Sequence, residues 1–168
     1  PFFKILDELK IKASAIEIIS LSNKIELYKQ SPTHEEAGKL IFRVPTFIIY
    51  KNEVEIGRIV ESPVTSLEMD LVQILLGLPT SPNYNAIHEL ENLFAENGLP
   101  KDKEISLKYA RAIQKSSKKS GELNSYGYIL LGRNEIDKAI GIFYINAILY
   151  RKEANVYDSL AEAYEKKG

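Results

Sequence analysis

Five positions late in the chain repeat themselves. Leu123, Tyr126, Gly127, Leu130 and Asn134 return 34 residues on as Tyr157, Leu160, Ala161, Tyr164 and Gly168, in the order large, large, small, large and turn-former. A period of that length marks stacked supersecondary units, because one helical hairpin cannot bury its apolar face alone. The spacing of three and four puts the first four positions on one helical face. The small residue lets a partner helix approach closely. Ala139 and Phe143, on the helix between the two copies, supply the small and aromatic contacts such a partner needs.

The recurrence belongs to a half of the chain that contains no strand signal. After Tyr84, apolar spacing predicts five helices, carried by Ile87, Leu90 and Phe94; by Ile105, Tyr109, Ala112 and Ile113; by Leu123, Tyr126, Gly127 and Leu130; by Ile136, Ala139, Ile140, Phe143 and Ala147; and by Tyr157, Leu160, Ala161 and Tyr164. The first half mixes its signals. Phe2, Ile5, Leu6 and Leu9 form one helical face. Ser14–Ser20 is a β-branched run suited to a buried strand. Thr33 and Glu36 have capping-box spacing for a short helix. Thr46–Tyr50 and Val54–Val60 read as a hairpin, with Asn52 tolerant of a left-handed turn. Thr65–Glu68 is a second capping box, opening a helix to about Leu76 that Gly77 and Pro79 terminate. The boundary between the halves is the proline-bearing stretch Gly77–Tyr84.

Composition excludes several classes of chemistry. The 168 residues hold no cysteine, which removes disulfides, thiolate chemistry and cysteine-ligated zinc from them. Net charge is −1, with no basic excess to hold a phosphate backbone, so nucleic acid is not an expected partner. No apolar run approaches the roughly 18–20 residues of a membrane span. The chain opens on Pro1 and its one methionine is Met69, so it reads as a mature form or a fragment without a signal peptide. His34 and His88 lack second ligands at helical spacing, and no metal site is expected. The carboxylates are scattered, with no pair arranged as acid and base, and no glycine loop would cradle a phosphate. Ser116–Ser120 reads as a polar connector. The tyrosines at 126, 157 and 164 have the spacing of helix packing rather than of a stacking platform.

Residues 122–168 resemble a tetratricopeptide repeat, through the recurrence above and the tail FYINAILYRKEANVYDSLAEAYEKKG. Asn146 stands where that repeat usually has alanine, and Arg151 where it usually has proline. Residues 85–118 resemble a divergent hairpin of the same kind, with a longer connection through Asn97–Pro100. The resemblance implies a groove on the inner helix faces, lined by Asn124, Tyr128, Asp158, Glu162 and Glu165. An acidic, tyrosine-bearing groove would favour a basic or aromatic segment. The resemblance also implies that the last helix lacks its partner at Gly168, as though the chain were cut there.

Val44-Pro45-Thr46, the run FIIY, a short turn and VEIGRIV resemble the C-terminal half of a thioredoxin-like domain, over residues 1–77. Residues 78–84 then act as a linker to the helical region 85–168. The expected fold class is therefore α/β thioredoxin-like, N-terminally incomplete, followed by all-α helical hairpins. The resemblance implies a cis Val44–Pro45 bond, which lets Val44, Pro45 and Thr46 present a peptide-pairing edge. It places Gly57 where such domains carry a strand glycine, and PFFKILDELK as the helix that follows a Cys-x-x-Cys motif. The cysteines of an active member would lie upstream of Pro1, and this chain carries no catalytic residue of its own. A three-stranded remnant is implied, its open edge covered by a longer parent or by another chain.

Taken together, the resemblances imply a thioredoxin-family protein. Its parent would exchange thiols and disulfides on protein substrates, with the helical region binding a protein or peptide partner and with no cofactor. The alternative is a redox-inactive scaffold of the same two parts. Such fusions resemble exported bacterial proteins, which points to the cell envelope, although nothing in these residues decides between export and the cytoplasm.

Overall fold

The computed structural model describes residues 2–8, 10–24 and 30–168; Leu9, assigned above to a helical face, lies outside them. The chain divides into two compact units between Asn83 and Tyr84, within the Gly77–Tyr84 stretch. It is a mixed α/β structure with a short antiparallel sheet and, among the described residues, seven α-helices.

The first unit contains α1 (Phe2–Glu8), a single 3₁₀ turn at Ala13–Ala15, β1 (Thr46–Lys51), β2 (Val54–Val60) and α2 (Leu67–Leu75). The two strands pair antiparallel, with Thr46 opposite Val60 and Ile49 opposite Gly57. Asn52 and Glu53 both take positive φ, 52° and 65°, as a two-residue turn that follows the twist of its strands requires. The register slips beyond Ile49, so that Tyr50 faces Glu55 and Ile56 becomes a bulge. One face of the hairpin buries Ile59 against Leu71 and Ile74 of α2, with Phe2, Ile5, Phe47, Ile49, Ile56 and Leu67 packed around them. The Phe2 and Phe47 rings meet at 4.2 Å. Full burial of such side chains contributes about 1.5–3 kcal/mol each. Gly57 is what lets α2 sit so close, since a Cβ there would fall 2.8 Å from Ile74 Cγ1 and Cγ2.

The α2 cap is built from two residues. Ser66 Oγ accepts from Met69 N at 3.2 Å, while the buried Asp70 carboxylate accepts from Val64 N (2.6 Å) and Thr65 N (3.1 Å). The N-cap is thus Ser66 rather than Thr65. Gly77, at φ 65°, follows the helix end.

Two expectations for this unit fail. Ser14–Ser20 is not a strand: Ala13–Ala15 turns, no ladder follows, and Ile18 is 70% exposed. A β-branched run needs a neighbour to take its backbone donors and acceptors. Among the described residues no strand lies beside it, so the sheet has two strands rather than three. Thr33–Glu36 does not open a helix either, and residues 32–33 and 35–38 form turns. The reciprocal cap is made two residues earlier, where Ser31 N donates to Glu36 Oε2 at 3.0 Å and Ser31 Oγ accepts from Glu35 N at 3.0 Å. Gly38, at φ 75°, ends the segment before a second turn can form.

The second unit is all helix: α3 (Asn85–Asn97), α4 (Lys103–Ile113), α5 (Ser120–Gly132), α6 (Ile136–Leu149) and α7 (Ala154–Lys167). All five predicted helices are present. Only Arg133, Asn134 and Glu135 separate α5 from α6, which makes the two antiparallel neighbours. Leu123, Leu130, Ala139, Ile142, Phe143, Ile145, Val156 and Ala163 form the core, each exposed by 1% or less. The first residues of α5 and α7 are Ser120 and Ala154, which reproduces the sequence period.

The two copies of the repeating face differ in what covers them. Tyr126 is buried at 3%, whereas Tyr157 and Tyr164 are 48% and 51% exposed. The packing role expected of all three tyrosines therefore holds for Tyr126 alone among the described residues. Among the described residues no helix covers Tyr157 and Tyr164 on α7.

Candidate functional site

In the first unit the predicted edge residues open β1. The Val44–Pro45 peptide bond is cis. Pro45 O accepts from Glu61 N at 2.8 Å, and Thr46 Oγ1 donates to Arg43 O at 2.6 Å, which fixes the chain as it enters the strand. Val44 is 45% exposed. The Pro45–Glu61 bond also fixes the parity of the ladder. Hydrogen-bonded pairs then fall at 47/59 and 49/57, so the backbone groups of Thr46 and Ile48 turn away from β2. Among the described residues no backbone group meets them on that side. Such outward-facing backbone groups are the ones with which a further strand would pair.

Opposite Ile48, the side chain of Arg58 is almost fully buried. It donates from Nε and Nη2 to the two carboxylate oxygens of Glu55, each at 2.6 Å, and from Nη1 to Lys39 O at 2.9 Å. This two-pronged pairing neutralises and orients the buried cation. It leaves Arg58 no role at the open edge.

A shallow cleft of about 410 Å³ lies between α1 and α2, floored by Ile5, Leu71, Val72 and Leu75 with Glu8 and Glu68 at its rim. Lys4 is the third polar residue of its lining. In the segment ahead of β1, hydrogen bonds from the Ser31 and Thr33 hydroxyls hold exposed Glu35 down to about 2.

In the second unit, α5 and α7 bring part of the predicted groove together. Tyr128 OH donates to Glu162 Oε2 at 2.7 Å and lies 3.2 Å from Ser159 Oγ. The Ser159 hydrogen bond pulls the Tyr128 phenol down. Burial and the charges of Glu162 and Asp158 outweigh it and leave the phenol raised. Glu165 lies one turn beyond Glu162 on α7. Asn124, one turn before Tyr128 on α5, is half-buried, with an Oδ1 that finds no hydrogen-bond partner. Tyr128, Asp158 and Glu162 therefore form one acidic, hydroxyl-bearing patch. Asn124 and Glu165 share its helices without a side-chain bond to it.

Sequence reasoning missed the residues that support this patch. Ser159, 1% exposed, also donates to Asn155 O at 3.0 Å and holds Tyr128 in place. Deeper in the unit, Glu91 accepts from Tyr126 OH at 2.9 Å and from Lys138 Nζ at 2.6 Å. Burial, and then the Glu91 charge, push the Tyr126 phenol far above its usual range. The only signal for these was that polar residues sat on otherwise apolar faces.

Among the described residues, no group of three or more His, Cys, Asp or Glu side chains could hold a metal, and no helix is long and apolar enough to cross a membrane. Comparison with family models, with curated proteins and with solved structures returned no match. The functional reading rests on the geometry above.

Proposed function

We propose that this chain is a protein-binding part of a thioredoxin-family protein, with a thioredoxin-like C-terminal portion followed by tetratricopeptide-type hairpins. In this reading the whole protein exchanges thiols and disulfides on protein substrates. The first unit holds an extended substrate segment against Val44, Pro45 and Thr46, and the patch at Tyr128, Asp158 and Glu162 takes a basic or aromatic partner segment. The observation that carries the proposal is the open edge of β1, where the amides of Thr46 and Ile48 face away from β2 beside an exposed Val44. The hairpin followed by α2 in the first unit and the period of α5 and α7 support the two family readings, while the strand and short helix expected between α1 and β1 do not form.

One observation favours a second reading. With no cysteine, the 168 residues supply no thiol, so the same surfaces would serve a redox-inactive scaffold equally well. Binding tests the shared part. A fluorescent, carboxymethylated, permanently unfolded protein is titrated with this chain and with Val44→Asp, which places a charge at the exposed edge. Saturable binding that the variant loses supports the edge; equal binding by both contradicts it. Disulfide-exchange activity of the full-length protein then separates enzyme from scaffold.

A further inference from the structure

Asn97-Gly98 is the one Asn-Gly pair in the chain, and it stands at the end of α3. An asparagine followed by glycine carries its own reaction. The glycine amide nitrogen can attack the asparagine side-chain carbonyl, because no Cβ on the second residue hinders the approach. Both residues are exposed, so water reaches them.

The backbone, rather than space, requires this glycine. Gly98 takes φ 81° and ψ 176°, a region that residues with a Cβ essentially do not enter. A Cβ built there would meet nothing within 4 Å. The exit from α3 therefore forces glycine after whatever stands at position 97, and that residue is asparagine.

In the closed helix end the reacting groups are held apart. Gly98 N donates to Phe94 O at 2.9 Å, so the nucleophile is already engaged along the helix. Asn97 Nδ2 donates to Leu93 O at 3.3 Å, which folds the carboxamide back over the preceding turn. From α4, Tyr109 OH donates to Gly98 O at 2.9 Å and pins the exit peptide. Beyond it the connection is anchored: a Cβ on Gly141 would fall 3.1 Å from Pro100 Cγ, and Asp102 Oδ1 accepts from Ile105 N at 2.8 Å. The part left to open is the last turn of α3, and helix ends open at low free energy.

We propose that Asn97 is a site of spontaneous deamidation, gated by fraying of the last turn of α3 beneath the Tyr109 clamp. With the turn open, Gly98 N bonds to Asn97 Cγ and the Cγ–Nδ2 bond breaks. The displaced nitrogen leaves as ammonia, taking the Gly98 amide proton. Water then adds to one or other carbonyl of the five-membered imide and opens it to aspartate or isoaspartate. No oxidant or reductant is needed. Either product puts a carboxylate at the negative end of α3, and the isoaspartyl one lengthens the backbone by an atom.

The test incubates the whole chain in mildly alkaline buffer, folded and in guanidinium chloride, alongside Asn97→Gln and Tyr109→Phe. Peptide mapping by mass spectrometry, with chromatographic separation of the isomers, reads residue 97. The folded wild type should convert slowly, with isoaspartate in excess, and the unfolded chain about tenfold faster or more, because only the frayed fraction reacts. Tyr109→Phe keeps the ring and loses the hydroxyl, and should convert several-fold faster than wild type while circular dichroism shows it folded. Asn97→Gln should stay intact over the same period, since its side chain closes a larger ring more slowly. An Asn97 that persists in the folded chain overturns the proposal. Aspartate without isoaspartate overturns attack by Gly98, and equal rates folded and unfolded overturn the gating, a comparison that needs no variant. A folded Tyr109→Phe converting at the wild-type rate overturns the clamp.

Discussion

The Phe143 ring occupies the space where a side chain on residue 127 would begin: a Cβ added to Gly127 falls 2.4 Å from Phe143 Cε1 and Cζ. A helix-interior glycine costs about 1 kcal/mol relative to alanine, so alanine would gain there if space allowed. Space does not allow it, because Phe143 is fully buried and cannot swing away. Gly127→Ala should therefore destabilise the helical unit by about 1–3 kcal/mol, overpacking outweighing propensity. Urea unfolding followed by circular dichroism measures it. Equal or greater stability would mean that α5 and α6 lie further apart than described.

Glu122 makes the opposite case. Its side chain is 1% exposed and its Oε2 has no hydrogen-bond partner. One period later the same position is Val156, fully buried. A buried acceptor without a donor costs about 1–3 kcal/mol, so Glu122→Leu should raise stability by an amount of that order. Chemical denaturation is the check, and a loss of stability would show that the carboxylate has a partner in solution.

Tyr126 predicts behaviour at high pH. Its phenol is raised by burial and then by the Glu91 carboxylate. A tyrosine whose folded pKa lies above the unfolded value contributes stability that is intact below about pH 10 and is lost as pH climbs beyond it. Absorbance at the tyrosinate band should show Tyr126 ionising only with unfolding, and Tyr126→Phe should flatten the fall in stability above about pH 10. Ionisation of Tyr126 in the folded chain would contradict this.

Gly57 and Ile74 offer a test inside the first unit. Gly57→Ala drives a methyl group to within 2.8 Å of Ile74 and should cost about 1–3 kcal/mol. Ile74→Ala, which removes the two crowding γ-carbons, should be less harmful in that background than alone. A double-mutant cycle reads the coupling, and strict additivity would remove the contact from the account.

How much of this was legible depended on whether a signal was local. The helices of the second unit were, since apolar residues at three and four spacing declare a face and Asn134 and the 34-residue period declare the turns. The hairpin was legible because Asn52 sits between two β-branched runs. Ser14–Ser20 has the same local character, yet a strand is completed by a neighbour, and residue types do not say whether one is there. The cap at Ser31 was misplaced to Thr33 because two serine/threonine residues and two glutamates stand close enough to offer alternative pairings. At the patch, Tyr128 and Glu162 were legible as residues of one face. Ser159 was not, because a buried serine leaves no mark in the sequence of a helix. The exposure of Tyr157 and Tyr164 was also hidden: their pattern states what kind of surface they form, and only the fold states whether it is covered.

The open edge of β1 is the claim on which the functional reading stands, and amide hydrogen exchange at Thr46 and Ile48 tests it most directly. With an unfolded, carboxymethylated protein added in excess, both amides should slow while those of Phe47 and Ile49, already paired with β2, stay unchanged. Unaltered exchange at Thr46 and Ile48, or slow exchange there before any addition, would contradict an edge that waits for a strand.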